Sequence, residues 1–266
     1  MRSTSAVPVF IYDDDEALGK VIALHLFEGI SAAYARSEEY VLGCPGGRTP
    51  RSTYNSLAEL FKENQLSLTH LYIAMMDEYA NQLPDGTFVN IDSSLHYSCK
   101  RFAEEEIRHV FNAGLPENLH LPLKNVLFPD ARNPSDYEET LSTLGIDCFL
   151  LASGTTDGHV AFNGVGSPAE AKTRVATLSD ETRTDNLMTF PQFTSIDEVP
   201  KFGVTVGPAT ISSLSKSAIM ILQGSHKSKA FLHITRATSY NPDWPATIIA
   251  DCNNPQIFAD LSASNA

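Results

Sequence analysis

Asp157 and His159 flank Gly158 in the turn GTTDGH, which follows the apolar run DCFLLAS. At that spacing one short loop can present both side chains, so that the carboxylate orients the imidazole and the other ring nitrogen stays available for proton transfer. Asp77 directly follows a second apolar run, LYIAMM. A carboxylate at the mouth of a cleft is partly desolvated and serves as a general base of raised pKa, although a helix or turn cap would use the same residue. Two further turns suit an anion. In CPGGRTP, Gly46 and Gly47 allow close backbone approach, Thr49 falls at an expected N-cap, and a helix behind them offers free N–H groups. Arg48 adds a guanidinium able to hold phosphate oxygens in a bidentate way, while a plain strand-to-helix turn is the bland alternative. In GSHKSKAF, Gly224 and Ser225 mark a helix start and Lys227 lies in its first turn, where the macrodipole disfavours a cation unless an anion sits between them. Lys229 reads as an exposed lysine, and His25, His70, His96, His109, His120, His226 and His233 read as surface or core.

The elements that must position these residues follow from the hydrophobic rhythm. Short apolar runs alternate with helical patterns, the signature of an α/β fold with a mainly parallel sheet wrapped by helices. VPVFIY precedes Asp13 to Asp15, which offer N-cap side chains to a helix whose Leu18, Ile22, Leu26 and Ile30 form one apolar row. YVLG leads through CPGGRTP into a helix with Tyr54, Leu57, Leu60 and Phe61 on one face, and Pro50 suits its first turn. An irregular connection is expected after Asp77 and Glu78, then a helix over Phe102 to Phe111. FGVTVG and SAIMILQG each read as a strand feeding a helix, and ATIIAD reads as the last strand. No linker or repeat divides the chain, so residues 1–266 are expected to form a single domain. In open parallel sheets ligands collect beyond the carboxyl ends of strands, and all four chemical segments lie just after a strand-like run.

Composition removes several classes of function. With 19 Lys+Arg against 32 Asp+Glu the formal net charge is −13, so the mean field repels nucleic acid and anionic membranes, and a bound phosphate needs a local cationic site. No apolar run approaches the roughly 18 residues of a membrane span, and the N-terminus breaks into an acidic cluster before a signal core forms, which points to the cytoplasm. Cys44, Cys99, Cys148 and Cys252 are far apart and form no CxxC pair, so reduced thiols are expected, with Cys148 in the core. No HExxH or comparable spacing exists, and Asp77-Glu78 would meet Asp157 and His159 as a hard-metal site only by a coincidence of folding. No metal is expected.

Taken in order, LGCPGGRTPRSTY, MMDEY, DGHVAFN, TRVATLSDETRTDN, VPKFGVTVGPATI and GSHKSKA resemble the glucosamine-6-phosphate deaminase/isomerase family, whose superfamily includes the 6-phosphogluconolactonases. The resemblance spans about residues 40–230 and implies a Rossmann-like three-layer α/β sandwich acting on a small-molecule sugar phosphate. It further implies that Asp77 moves a proton between C1 and C2 of an opened amino sugar, that His159 assists ring opening with Asp157 in support, and that Lys227 grips the phosphate with the Gly47, Arg48 and Thr49 turn. Such chemistry requires no cofactor. Relatives of this kind are often homo-oligomers.

Three positions depart from the family pattern. The deaminase loop continues DGHxAFNE, whereas this chain has Gly164 in place of the glutamate. Met188 stands where a phosphate-binding arginine is expected beyond TRxxN, and Arg48 can supply that cation from the opposite side. Arg174 is present, but Ala176 replaces a lysine typical of the allosteric pocket. The AFN continuation favours an isomerase/deaminase over the lactonases' DGHxASLF, while GGRTP is nearer the lactonases' GGSTP. A 6-phosphogluconolactonase is therefore the second reading, and a sugar-phosphate-binding protein with impaired turnover the third.

Overall fold

The apolar rows become elements with identifiable caps. A computed structural model describes residues 7–265; residues 1–6, the start of the segment weighed above as a leader, lie outside the described residues. The chain opens with β1 (Val9–Tyr12) and α1 (Asp15–Ala35), whose N-cap Asp14 accepts the Ala17 N–H at 2.8 Å. Then come β2 (Tyr40–Cys44), α2 (Arg51–Asn64), β3 (Leu71–Met75), β4 (Asp77–Gln82) and β5 (Phe88–Asn90). The expected helix around residues 102–111 begins as α3 (Cys99–Phe102), widens through a π-helical stretch (Ala103–Arg108) and ends as α4 (His109–Asn112). The central chain supplies β6 (Val126–Leu127), α5 (Pro134–Leu144), β7 (Cys148–Ala152), β8 (Arg174–Thr177) and α6 (Asp180–Thr189). The rest forms β9 (Phe202–Thr205), α7 (Pro208–Leu214), β10 (Ala218–Leu222), α8 (Ser228–Arg236), β11 (Pro255–Asp260) and α9 (Leu261–Ser264).

Seven strands form one parallel sheet in the order β1-β11-β10-β7-β2-β3-β6. Both faces are covered. Leu42, Ile73 and Leu150 pack with α1 and α2 residues such as Leu26 and Leu57, while Val41, Ala74 and Leu151 pack with Leu141 of α5, Ile211 of α7 and Ile234 of α8. The fold is thus the expected three-layer α/β sandwich, and its period-2 alternation sends neighbouring apolar residues into two separate cores.

Three expectations need correction. FGVTVG does not join the parallel sheet: β9 belongs to a second, antiparallel sheet ordered β5-β4-β9-β8. The connection after Asp77 is not irregular at its start, because Asp77 itself opens β4 and pairs with Thr205 of β9. ATIIAD is not a strand but part of a 3-10 helix (Pro245–Asp251); the last strand is β11. Pro245 starts that helix, and Ala246, Ile248 and Ile249 bury against the sheet, so a short apolar run gave no periodicity to tell helix from strand. The topology still delivers the site. β10, β7, β2 and β3 are consecutive neighbours, so their carboxyl ends, followed by the Lys227 turn, the Asp157 loop, the Arg48 turn and Asp77, stand side by side. The chain reverses direction of growth between β2 and β7, the crevice where such sheets take ligands.

Candidate active site

The loop after β7 builds a fixed acid–imidazole pair. His159 Nδ1 donates to Asp157 Oδ1 at 2.8 Å, and the His159 backbone N–H points at the same oxygen at 3.2 Å. The other oxygen, Oδ2, accepts from Ser179 and Thr182 hydroxyls, each at 3.3 Å. Ser179 is also the N-cap of α6, so the start of that helix braces the carboxylate. Burial raises the Asp157 pKa, but the hydrogen bond and charge of His159, with Thr182, outweigh it and hold the carboxyl down at about 2. Gly158 has φ +66° and lies against Trp244, whose ring a Cβ there would meet at 2.3 Å. Only glycine fits between Asp157 and His159.

Asp77 is buried at the joint between the two sheets. Burial is the main reason its pKa rises to about 7; Glu78 adds to the rise, while the Cys99 thiol, donating to Oδ1 at 3.2 Å, and the charge of His159 oppose it. The electrostatic coupling to His159 unites residues 82 positions apart (159 − 77) around one crevice. Glu78 has a different task. Its two oxygens accept from the N–H groups of Tyr79, Cys99 and Lys100 and from the Ser98 hydroxyl, all within 3.0 Å, so it clamps the N-terminus of α3. With its oxygens occupied, Glu78 does not join Asp157 and His159.

The two glycine turns lie near one another. Lys227 is buried; its Nζ donates to the Ser153 carbonyl at 2.6 Å and to Thr155 Oγ1 at 3.1 Å, leaving one N–H for a ligand. Burial lowers its pKa, with Arg48 adding to the fall and Asp185 and Asp157 opposing it, so Arg48 and Lys227 share one electrostatic neighbourhood. Arg48 is exposed, and Gly47 turns the chain at φ +84°. Thr49 is not the N-cap: Pro50 occupies that place without a side-chain cap bond. His226, read above as surface or core, stands beside the same cations; burial, Lys227 and Arg48 lower its pKa. Met188 is 65% exposed on the last turn of α6.

A cavity of about 900 Å³ adjoins this group, with Asp157, Gly164, Arg174, Ser179, Lys229 and Trp244 on its wall. Asp77, His159, Arg48 and Lys227 do not line it. Lys229 is exposed as expected, yet it is placed: Nζ donates to the Thr156 carbonyl at 2.9 Å and lies 5.0 Å from the Trp244 ring centre, while His233 stacks on that ring. A Cβ at Gly164 would come no nearer than 3.9 Å to Ser179, so a side chain there would find room. The sequence reading missed Cys99, Thr182 and Asp185. None carries a local spacing signal; each reaches the site only through the folding of α3 or α6. Asp185 Oδ2 accepts the Thr155 N–H at 3.0 Å, and one donor atom from each of Asp157, His159 and Asp185 lies within 4.8 Å of the others.

Comparison with known proteins identifies the family and the fold. Residues 13–258 match the family described as glucosamine-6-phosphate isomerases/6-phosphogluconolactonase. A glucosamine-6-phosphate deaminase of Bacillus pumilus (strain SAFR-032) is 31% identical over 261 residues, 96% of this chain and 97% of that protein. One from Phocaeicola vulgatus is 33% identical over 233 residues, 85% of this chain and 81% of that protein. Among solved structures, a monomeric glucosamine-6-phosphate deaminase superposes with a TM-score of 0.78 at 25% identity, covering 97% of this chain and 98% of that one. The 6-phosphogluconolactonase of Leishmania guyanensis shares the fold with a TM-score of 0.70 at 19% identity, covering 98% of each.

Proposed function

Since the chain belongs to the glucosamine-6-phosphate isomerase/6-phosphogluconolactonase family, we propose that it is a sugar-phosphate isomerase/deaminase, converting a hexosamine 6-phosphate to a ketose 6-phosphate with release of ammonia. His159, oriented by Asp157, moves the proton of the anomeric hydroxyl to the ring oxygen and opens the sugar. Asp77 then takes the C2 proton. The C–H electrons form a C1=C2 double bond as the aldehyde oxygen gains a proton, and return of the proton to C1 leaves an imine at C2. Water adds at C2 and ammonia departs. Lys227 and the Gly47, Arg48 and Thr49 turn hold the phosphate, which lowers the entropic cost of aligning C2 with the base. No cofactor enters this scheme.

The observation that carries the reading is the buried Asp77 carboxyl, raised to about 7 and coupled to an imidazole that a second carboxylate fixes. A base of that strength is half ionised near neutrality, where proton abstraction is most efficient. Four free, buried cysteines support a reducing compartment, and we place the protein in the cytoplasm. Among the described residues no helix is long and apolar enough to cross a membrane.

Glucosamine 6-phosphate incubated with the purified protein should yield ammonia and fructose 6-phosphate in equal amounts. Freshly prepared 6-phosphogluconolactone should release acid at no more than its spontaneous rate. The opposite pattern would move the assignment to lactone hydrolysis, the reading that Gly164 favours, because activating water on a lactone carbonyl does not need the glutamate missing there. Binding without either product would mark a sugar-phosphate receptor.

A further inference from the structure

We propose that Asp260 is a positioning residue for the phosphate grip: from the end of the last strand it anchors the glycine turn that carries Lys227, and so ties the C-terminal segment to substrate binding. The inference rests on the reading of Lys227 as the phosphate-holding lysine. Asp260 closes β11 and is buried. Its two oxygens have separate partners. Oδ2 accepts the Gly224 N–H at 2.7 Å, and Oδ1 accepts the Ala263 N–H at 2.6 Å. The bond to Ala263 is the N-cap of α9, whereas the bond to Gly224 crosses to another loop, 36 positions away in the chain. An N-cap needs one oxygen only, so capping does not account for the second bond.

The turn needs an anchor from outside. Gly224 has φ +83°, and a Cβ there would meet the His226 ring at 2.8 Å, so the position is confined to glycine, the residue with the most backbone freedom to lose. The 3-10 turn Ser225–Lys227 that follows has no side-chain cap bond of its own. Order reaches it through a chain of hydrogen bonds. Asp260 fixes the Gly224 N–H, the Gly224 carbonyl accepts the Lys227 N–H at 2.9 Å, and Lys227 Nζ reaches the Ser153 carbonyl and the Thr155 hydroxyl. Asp260 ends β11, Gly224 lies two residues past β10, and Ser153 follows β7 directly. Those strands are consecutive neighbours in the parallel sheet, so the bonds lace three adjacent strand ends together. The charge of Asp260 by itself would oppose an anion; its contribution to the grip is the fixed geometry of the turn.

Asp260→Ser separates the two bonds, because a serine hydroxyl is a good N-cap for the Ala263 N–H but is too short to hold Gly224 as well. Asp260→Ala loses both. Calorimetric binding of inorganic phosphate should weaken about three- to tenfold in each variant, the order of effect that one lost hydrogen bond produces. Only Asp260→Ala should melt clearly lower. Removing the carboxylate's charge would on its own tighten phosphate binding, so weaker binding reports the lost anchor. With glucosamine 6-phosphate, Asp260→Ser should raise KM while kcat stays within about twofold of wild type. The Gly224 amide should exchange with deuterium slowly in wild type and about tenfold or more faster in Asp260→Ser. Phosphate affinity at or above the wild-type value in Asp260→Ser would overturn the proposal, as would a loss confined to Asp260→Ala in step with its lower melting temperature. An unprotected Gly224 amide in wild type would overturn it even if neither variant folded. Lys227→Ala keeps the two readings apart: weaker phosphate binding there, with none in Asp260→Ser, sinks the role of Asp260 alone, whereas unchanged binding in Lys227→Ala removes the phosphate assignment and this inference with it.

Discussion

A carboxyl group that titrates near neutrality carries a penalty which its surroundings must tolerate. Asp77 has its pKa raised to about 7 chiefly by burial, so the native state holds its proton more tightly than the unfolded chain. The associated stability is complete below the unfolded value near pH 4 and is lost as pH rises through about 7. Asp77→Asn should accordingly melt higher than wild type at pH 8, with little difference at pH 4, in paired calorimetric scans. The same substitution should lower kcat about 10²- to 10⁴-fold while leaving phosphate affinity unchanged, since it removes the proposed base and not the proposed grip. In wild type, kcat/KM should rise with pH through an apparent pKa of about 7. Cys99→Ala removes the thiol donor that opposes the rise, and should move that limb to higher pH. Asp157 and His159 were legible as a pair because two residues of spacing place them in one loop. Cys99 was not, because a neutral thiol 22 positions from Asp77 announces nothing before the chain folds.

Helix termini carry much of the site's precision. Ser179 caps α6 and at the same time donates to Asp157, so Ser179→Ala should cost about 1 kcal/mol of stability, read as a lower melting temperature, and should reduce kcat more than it changes KM. Glu78 closes the start of α3, which carries Cys99; in Glu78→Gln an amide NH₂ replaces an oxygen that accepts from Ser98 and Lys100. A loss of roughly 1–3 kcal/mol in urea unfolding is expected from those orphaned donors. Arg48→Ala and Lys227→Ala should each raise KM for a sugar phosphate strongly, and unchanged KM in the arginine variant would remove that turn from the phosphate site. The helices of the parallel layer were readable because Leu18, Ile22, Leu26 and Ile30 repeat at helical spacing. The β8 and β9 pairing was not, because a strand of only four residues, half of them polar in β8, carries no signal for the kind of sheet it joins.

At the scale of the molecule, the seven-stranded sheet supplies a rigid row of strand ends, and the smaller sheet supplies Asp77, the proposed base. Strand order was beyond the sequence: nothing in LYIAMMDEYA shows that the chain leaves one sheet at Met75 and enters another at Asp77. Met76 is the single residue between them. Its N–H is given to the Cys44 carbonyl at the end of β2, and its own carbonyl receives the Val206 N–H just past β9. Because side chains alternate along a strand, gaining or losing one residue at this joint would turn the aspartate away from its target and bring the glutamate round in its place. Length variation among descendants of this chain should therefore accumulate at the hairpin tip near Asp85 and Gly86 and be purged at Met76, making a lone hydrophobic residue as unforgiving of insertion as any in the proposed site.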